Sequence, residues 1–349
     1  MAPVLLFRGG ILERTVLEPH LAAPGGSAQD RALLLLRPRG FCAGVVRAIE
    51  VVHLAIQQFG CPIYVHKEIV HNRHVVNELA GQGAVFVDSL DEVPAGALVI
   101  FSAHGVPPAI RDRARERKLQ VIDATCPLVT KVHLEVIRYA RQNYTIVLIG
   151  HRYHDEVVGT IGEAPECIRL ISEIEEVDTL EVPDPERVVY LTQTTLSVDD
   201  TQEIIGRLKE RFPAIIGPAS QDICYATQNR QMAVKNLGKR ADALLVVGAK
   251  NSSNSNRLTE VARRGGIAAY LITEAADILP QWVQGLRCVA ITAGASTPEV
   301  LVQQVIERLK GFGFTRVEEM EWIEESVTFV LPAELKTLQP SNGGAYGAE

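Results

Sequence analysis

The chain has 349 residues, of which 47% are hydrophobic and 22% are charged, and its formal net charge is −7. This length is typical of two or three globular domains. The acidic balance and the lack of a basic cluster argue against nucleic-acid binding, and no apolar run approaches the ~20 residues of a membrane span. Six cysteines spread along the chain without close pairs do not form the pattern of a disulfide scaffold, which favours a reducing cytoplasm.

Residues 1–30 are interpreted as an extension, because the stretch AAPGGSAQD is typical of a flexible linker. From Ala32 onward, continuous apolar runs alternate with amphipathic segments, and continuous runs predict strands buried on both faces of parallel sheets. The predicted strands are 32–37, 61–66, 84–89, 97–103, 119–124, 144–150, 187–193, 243–249, 268–273 and 287–294. Amphipathic helices are predicted over 199–212, 253–266 and 297–311.

Three cysteines occupy the same kind of position in this order of elements. Cys42 and Cys126 follow a predicted strand and precede a helical pattern, and Cys224 has a similar context with a weaker lead-in. The start of a helix favours a thiolate over a thiol. We therefore predict an α/β protein of three units, each presenting one thiol. The predicted boundaries are 31–125 with Cys42, 126–221 with Cys126, 222–312 with Cys224, and 313–349 as a C-terminal segment with a frayed tail.

Three converging thiolates predict a metal or cluster site. Three is one short of a closed tetrahedral set, and catalytic sites keep one position open for the substrate. Zinc with a histidine as fourth ligand is an alternative, but the chain has no short C-x₂₋₄-C knuckle, and widely spaced cysteines suit a cubane cluster better. The other cysteines, Cys61, Cys167 and Cys288, are interpreted as small apolar residues away from the site.

Polar side chains follow the predicted strands, where ligands gather in parallel α/β sheets. They are His104, His151, His154, Glu156, Thr192, Thr194, Thr195, Ser252, Ser253, Asn254 and Ser296. Helix starts offer N–H groups to anions, and the scarcity of Lys and Arg here indicates a phosphate group held by hydrogen bonds and imidazoles. No Walker loop or G-x-G-x-x-G motif supports nucleotide binding. Five histidines are interpreted as surface or ordinary helix residues: His20, His53, His66, His74 and His133.

Taken together, these motifs resemble the 4-hydroxy-3-methylbut-2-enyl diphosphate reductase family of the non-mevalonate isoprenoid pathway. The matching stretches are PRGFCAGV (38–45), EIVHNRHVV (68–76), FSAHGVP (101–107), DATCPLVTKVH (123–133), LTQTTLSVDDT (191–201), DICYATQNRQ (222–231), KNSSNSNRL (250–258) and TAGAS (292–296). They follow the family's order, and the resemblance extends over roughly residues 32 to 330. The resemblance implies three small parallel-sheet α/β domains in a pseudo-threefold trefoil around a central cavity.

The resemblance also implies the chemistry of that cavity. It implies a [4Fe–4S] cluster on Cys42, Cys126 and Cys224, with the fourth iron open to the substrate's hydroxyl oxygen, and Glu156 as the proton relay. The substrate-binding residues that it implies are His71, His104, His154, Thr194, Ser252, Ser253, Asn254 and Ser296. The implied reaction is reductive dehydroxylation of (E)-4-hydroxy-3-methylbut-2-enyl diphosphate to isopentenyl and dimethylallyl diphosphate. An electron donor such as flavodoxin or ferredoxin would supply the electrons.

The chain departs from the family pattern beside the implied proton relay, where the loop GHRYHDEV contains Arg152, Tyr153 and Asp155. Val46 stands where an acidic residue is frequent. Two other functions remain open. One is a three-cysteine [4Fe–4S] hydro-lyase or synthase acting on another small anionic substrate, for which an arginine-rich carboxylate clamp would be expected. The other is a protein that senses iron or redox state, which would need neither Glu156 nor the diphosphate-binding residues.

Overall fold

The computed structural model describes residues 31–338; the predicted extension and residues 339–349 lie outside that part of the chain. The ten predicted strands are confirmed, each within two residues of its predicted bounds. In chain order the strands are β1 (Arg31–Arg37), β2 (Ile63–His66), β3 (Ala84–Val87), β4 (Leu98–Phe101), β5 (Gln120–Asp123), β6 (Thr145–Ile149), β7 (Ile168–Ile171), β8 (Val188–Thr192), β9 (Ala243–Val247), β10 (Ala268–Ile272), β11 (Cys288–Ala293) and β12 (Phe314–Glu321). Strands β7 and β12 have no counterpart in the sequence prediction.

The α-helices of the described residues include the three that the sequence predicts, which are α7, α9 and α11. In chain order the helices are α1 (Ala43–Phe59), α2 (Arg73–Gly81), α3 (Pro108–Glu116), α4 (Pro127–Arg141), α5 (Asp155–Gly162), α6 (Glu176–Thr179), α7 (Val198–Arg211), α8 (Tyr225–Leu237), α9 (Ser253–Arg264), α10 (Pro280–Val283), α11 (Glu299–Gly311) and α12 (Glu334–Thr337). Local signals set several starts: the Asn72 side chain accepts two backbone N–H bonds at α2, and Ser197 caps α7. None of these helices is long and apolar enough to span a bilayer.

The strands form three sheets in which every pair is parallel. The strand orders are β10-β9-β11-β1-β12 in the five-stranded sheet, β3-β2-β4-β5 in the four-stranded sheet and β7-β6-β8 in the three-stranded sheet. Strands β4, β6 and β9 are buried along their whole length, which is why they appear in the sequence as continuous apolar runs. Three parallel-sheet α/β units are therefore confirmed.

Each cysteine-bearing helix carries the chain from one sheet to the next. Helix α1 follows β1 of the five-stranded sheet but packs, through residues such as Val51 and Val52, in the core of the four-stranded sheet. Helix α4 follows β5 of the four-stranded sheet and packs through Val136 on the three-stranded sheet. Helix α8 follows the three-stranded unit and packs through Val234 on the five-stranded sheet. The three cysteines thus lie at the three crossings.

Sheet membership differs from the predicted units at the two ends of the chain. Strand β1 lies in the predicted unit 31–125, yet Ala32 pairs with Cys288 on β11 and with Arg316 on β12 of the five-stranded sheet. Local apolarity does not show this, because the partners of a parallel strand are set by crossovers elsewhere in the chain. The domain boundaries themselves stay a prediction.

The sequence predicts a frayed tail after Phe329, and its end, PSNGGAYGAE, lies outside the described residues. Residues 330–338 of that tail are described, and packing holds them in place. Leu335 on α12 is buried in the core of the four-stranded sheet, and Leu331 and Leu338 pack against the same core. Leu335 lies within the single turn of α12, and Leu331 and Leu338 lie in the irregular residues on either side of it. The segment after β12 therefore joins the five-stranded unit to the four-stranded unit.

Candidate active site

The loops after the strands of all three sheets open onto one cavity of about 110 Å³. Its wall includes every residue to which the family resemblance assigns a site role. These residues are Cys42, His71, His104, Cys126, His154, Glu156, Thr194, Cys224, Ser252, Ser253, Asn254 and Ser296. Of the other polar residues predicted after strands, Thr195 lines the wall, whereas His151 and Thr192 do not. Cys61, Cys167 and Cys288 do not line this cavity. The arrangement therefore brings together three thiols, three imidazoles, one carboxyl group and a set of hydroxyl and amide groups.

Each of the three cysteines stands immediately before a helix: Cys42 before α1, Cys126 before α4 and Cys224 before α8. All three thiols are free. A strand followed by a short loop precedes the first two, whereas an irregular segment after α7 leads to the third. This difference explains the weaker lead-in at Cys224. A helix start fixes the direction of each thiol, because the following residues are held in the helix.

The backbone N–H of each cysteine is hydrogen-bonded to a loop that follows a strand. In each case the cysteine N–H donates to a carbonyl at, or directly before, a candidate substrate-binding residue. The pairs are Cys42 with Ala295 (3.1 Å), Cys126 with Ala103 (3.0 Å) and Cys224 with Thr194 (2.9 Å). Ser296 follows the first of these acceptors and His104 follows the second. The thiols and the polar loops are therefore positioned relative to each other by direct hydrogen bonds.

Gly44 shows how close two of the sulfurs lie. A Cβ atom at this position would stand 2.8 Å from the Sγ of Cys126 and 3.8 Å from the Sγ of Cys42. A Cβ contact shorter than 3 Å does not fit without movement of the neighbour, so a glycine in the first turn of α1 leaves room for both thiols. Two sulfurs near one point could bind the same metal ion or metal cluster.

Burial dominates the protonation of two of these thiols. Burial raises the pKa of Cys126 to about 12, although N–H groups of Leu128 and Val129 at the helix start oppose the rise. Burial, with repulsion from Cys42, likewise raises the pKa of Cys224 to about 11. The helix starts alone therefore do not produce thiolates, contrary to the expectation from the sequence. Three thiolates in this cavity require a cationic partner, and this requirement fits a metal group held by these thiols.

Three imidazoles form a second side of the cavity. The rings of His71 and His104 are stacked with centroids 3.9 Å apart, and the ring of His154 stands edge-on to both. Burial lowers the pKa of His154 to about 3 and holds the pKa of His104 well below its ordinary value. The ligand atoms of His71, His104 and Asp155 lie within 4.8 Å of one another, a spacing that a metal ion could also accept. Without a ligand, the buried rings of His104 and His154 are neutral at pH 7.

Glu156 is the one carboxyl group in the described wall of the cavity. Its side chain is 3% exposed, and both oxygens are bonded to Thr194. The N–H of Thr194 donates to Oε1 at 2.6 Å, and the hydroxyl of Thr194 donates to Oε2 at 3.0 Å. Burial raises the pKa of Glu156 to about 7, and the two bonds from Thr194 oppose this rise. A carboxyl group with this pKa can hold and release a proton near neutral pH.

The start of α9 supplies a polar wall that is built for a ligand. Ser252 caps the helix, Ser253 donates to the carbonyl of Thr195 at 3.0 Å, and all three residues Ser252, Ser253 and Asn254 are buried. Both side-chain amide atoms of Asn254 are buried without a hydrogen-bond partner. Since an unpartnered buried amide is costly, a polar ligand is expected there, and a helix start favours an anion.

Three cavity residues have no counterpart in the sequence prediction. The hydroxyl of Tyr225 accepts the N–H of Ala43 at 3.3 Å, which joins the start of α8 to the start of α1. The hydroxyl oxygen of Thr227 lies 3.1 Å from the Sγ of Cys224. Phe329 reaches the cavity from the segment after β12. The first two are visible in the motif DICYATQNRQ, whereas nothing local marks Phe329.

Two histidines that we interpreted as surface or ordinary helix residues are buried. His133 is 5% exposed in α4, and its Nδ1 lies 2.9 Å from Oε1 of Glu163. It shares the inner face of α4 with Val129 and Val136, which explains its burial. His66 is 5% exposed at the end of β2 rather than in a helix. Neither residue lines the cavity.

Known proteins are similar to this chain in sequence and in fold. A family model described as LytB protein matches residues 33–310. The 4-hydroxy-3-methylbut-2-enyl diphosphate reductase of Aromatoleum aromaticum is 56% identical over 308 residues, which cover 88% of this chain and 99% of that protein. The enzyme of that name from Bordetella pertussis is 58% identical over 306 residues, covering 88% and 94%. The solved E-1-hydroxy-2-methyl-but-2-enyl-4-diphosphate reductase of Plasmodium falciparum is similar with a TM-score of 0.86 at 40% identity, covering 88% and 98%.

Proposed function

The chain belongs to the LytB family of 4-hydroxy-3-methylbut-2-enyl diphosphate reductases, and from this premise we propose its reaction. The proposed reaction is reductive dehydroxylation of (E)-4-hydroxy-3-methylbut-2-enyl diphosphate to isopentenyl diphosphate and dimethylallyl diphosphate. Each turnover consumes two electrons and two protons and releases the hydroxyl oxygen as water. One observation carries the proposal: three thiols, a buried acid and an unpartnered amide share one cavity.

We propose that Cys42, Cys126 and Cys224 hold a [4Fe–4S] cluster. The support is that three free thiols come from three helix starts, that the described wall contains no fourth cysteine, and that burial disfavours thiolates unless a cation is present. Three-thiolate ligation of a cubane leaves one iron without a protein ligand. When bound, the cluster would supply electrons and a Lewis-acidic iron to the substrate.

In the proposed reaction Glu156 holds the proton that the departing hydroxyl needs. Burial brings its pKa to about 7, close to the pH at which an acid is both protonated and able to transfer its proton. The hydroxyl of Thr194 is bonded to this carboxyl and also lines the cavity. Thr194 can therefore orient the carboxyl or relay the proton between Glu156 and the substrate.

The diphosphate is proposed to lie against Ser252, Ser253, Asn254 and Ser296. The amide of Asn254 has free donor capacity in the cavity, and the N-terminus of α9 adds partial positive charge. A polar anchor at this end holds the flexible substrate with its allylic end toward the thiols, which reduces the entropy lost on reaching the reactive geometry.

The alternative functions are less well supported by the cavity. A hydro-lyase or synthase acting on a carboxylate would be expected to present an arginine clamp, yet no Arg or Lys lines the described cavity wall. A sensor of iron or redox state would not need a buried carboxyl with a pKa near 7 bonded twice to Thr194. Both features favour the reductase.

We further propose that the enzyme works in a reducing cytoplasm with a small electron-transfer protein such as flavodoxin or ferredoxin. Its six cysteines are all free, which is the state expected of thiols in that compartment. The proposed reaction consumes two electrons per turnover. Amino-acid side chains cannot supply electrons turnover after turnover, so an external electron donor is needed.

The test is an anaerobic assay of the purified protein with the hydroxylated diphosphate and a one-electron reductant. We expect two equivalents of reductant to be oxidised per substrate, with formation of isopentenyl and dimethylallyl diphosphate. Iron-loaded protein that leaves this substrate unchanged, but acts on a small carboxylate without consuming reductant, would instead support the hydro-lyase.

A further inference from the structure

Each of the three cysteine-bearing helices carries one cation in its second turn. Arg47 lies five residues after Cys42, Lys131 lies five residues after Cys126, and Arg230 lies six residues after Cys224. These positions are read directly from the chain. None of the three cations lines the cavity, so direct contact with the substrate does not explain them.

Arg47 on α1 holds the residues that lead into Cys126. Its Nη1 donates to the carbonyls of Ala124 and Thr125, both at 3.0 Å, and its Nε donates to the carbonyl of Val330 at 2.8 Å. The side chain is buried, and the first two acceptors are the two residues before Cys126. A buried guanidinium with three carbonyl partners has little freedom to move.

Lys131 on α4 makes the equivalent contact with the residues that lead into Cys224. Its Nζ donates to Asp222 Oδ1 and to the carbonyl of Ser220, both at 2.6 Å. Asp222 stands two residues before Cys224 and has no exposed side-chain surface. Its other oxygen accepts the N–H of Thr192 at 2.9 Å, so this contact also holds the end of β8.

Arg230 on α8 completes the set by holding the residues that lead into Cys42. Its Nη2 donates to the carbonyl of Gly40, two residues before Cys42, at 2.7 Å. Its Nη1 contacts Glu325 at 3.1 Å and the carbonyl of Ala226 at 3.0 Å. The guanidinium is fully buried, and the contact spans 190 residues of sequence.

We propose that Arg47, Lys131 and Arg230 form a closed ring that positions the three thiols for the cluster. In this ring each cysteine-bearing helix holds the loop before the next cysteine, and the third contact returns to the first. Displacement of any one cysteine loop would strain two contacts, the one that its helix makes and the one that its loop accepts. The three cations are positioning residues, and the nature of the group they serve rests on the proposed function.

Ordinary ion pairs elsewhere in the same helices do not share this pattern. Lys235 on α8 contacts Asp199 on α7 at 2.7 Å, but that contact is distant in sequence from every cysteine loop and is partly exposed. Lys235→Met is therefore a matched control, because it removes a cation from a cysteine-bearing helix without touching the ring.

The experiment compares wild type, Arg47→Gln, Arg47→Lys and Lys235→Met. The rate of iron loss to a chelator is measured on the anaerobic holoprotein. The affinity for arsenite, which binds three thiols at once, is measured on the apoprotein at a temperature at which circular dichroism shows it to be folded. We expect Arg47→Gln to lose iron about 10-fold or more faster and to bind arsenite about 10-fold or more weakly, the scale for groups that support metal ligands. Lys235→Met should stay within about twofold of wild type, and Arg47→Lys should lie between.

A folded Arg47→Gln protein with wild-type iron loss and arsenite affinity would overturn the ring. If Arg47→Gln does not fold, Arg47→Lys decides: it keeps the charge but cannot reach all three carbonyls, so unchanged behaviour overturns the proposal and weakened behaviour supports it. If wild type takes up no iron but binds arsenite in an Arg47-dependent way, the proposed ring is supported and the proposed cluster is wrong. If iron uptake and turnover are the same with and without Arg47, the proposed function is supported and the proposed ring is wrong.

Discussion

At the scale of single residues, the cavity is an environment that opposes charge. Burial raises the pKa of Glu156, Cys126 and Cys224 and lowers the pKa of His104 and His154. All five shifts favour the neutral form and have burial as their largest cause. The proposed ligands carry opposite charges, an iron-bearing group and a diphosphate. The attraction between these two oppositely charged ligands is strong in such a site, because little solvent screens their charges.

Substitution of Glu156 by Gln separates chemistry from binding. Gln keeps the size of the side chain and a hydrogen bond with Thr194, but it cannot release a proton. We expect turnover to fall by ~10²-fold or more, the scale of lost acid catalysis, while the substrate still binds. Steady-state kinetics and a binding measurement check this, with the exposed Glu203→Gln as control. Near-normal turnover in Glu156→Gln would remove this carboxyl from the mechanism.

The same substitution predicts a pH-dependent change in stability. The pKa of Glu156 is about 7 in the folded state against an ordinary value of 4.5, so the folded state holds this proton more tightly than the unfolded state. Its favourable contribution is complete below pH 4.5 and is lost as the pH rises through about 7, at a cost of roughly 3 kcal/mol. Urea unfolding of the apoprotein should therefore show a larger stability advantage of Glu156→Gln over wild type at pH 8 than at pH 5. Equal differences at the two pH values would show that the carboxyl ionises normally.

Asn254 predicts opposite effects on stability and on substrate affinity. Its amide is buried and unpartnered, so Asn254→Leu removes a desolvation cost of about 1–3 kcal/mol and should raise the melting temperature of the apoprotein. It also removes the proposed bond to the diphosphate, and KM should rise by about 10-fold or more. Asn236→Ala on the exposed face of α8 is the control. An unchanged KM would limit Asn254 to a structural part of the helix start.

At the scale of elements, most residues of the candidate site lie at or shortly before the start of a helix. This is why most of the candidate site is predictable from sequence. A buried parallel strand appears as a continuous apolar run, and the polar residue after it marks the loop at the cavity, as for His104 and Ser252. Strand β12 escapes prediction because it is a charged edge strand with five successive exposed residues. The positions of Phe329 and of the Arg230 contacts are not predictable from sequence, because they join segments that are distant along the chain.

The first turn of α1 supplies a prediction about the packing of two elements. Gly44→Ala would place a methyl group 2.8 Å from the Sγ of Cys126, so we expect the variant to fold but to bind less iron after anaerobic reconstitution. Gly206 is the matched control, because it lies inside α7 with no atom near its missing Cβ. Gly206→Ala should gain about 0.5–1 kcal/mol from helix propensity and keep its iron. Equal iron content in the two variants would show that the Cys126 thiol is not confined.

At the scale of the whole molecule, the chain closes on itself. The described part of the chain starts with β1 in the five-stranded sheet, passes through the four-stranded and three-stranded units, and returns to the five-stranded sheet, where β1 lies between β11 and β12. Each of these three crossings between units is the start of a cysteine-bearing helix, whereas the segment after β12 returns to the four-stranded unit without a cysteine. A candidate site with one thiol from each of these crossings is the consequence of this path. The pairing of β1 with β11 and β12 brings the first and last crossings into the same unit.

The three-thiol cluster site is tested most directly by the iron content and visible absorption of anaerobically prepared wild type and cysteine variants. We predict about four irons per chain in wild type and in Cys288→Ser, because the proposed four-iron cubane would be held by the three cavity thiols and Cys288 lies outside the cavity. In Cys42→Ser, Cys126→Ser and Cys224→Ser, each of which breaks the set, the absorption and most of the iron should be lost. The account would be contradicted if the wild-type protein bound a single zinc ion instead of a cluster. It would also be contradicted if a variant lacking one of these three thiols kept its cluster.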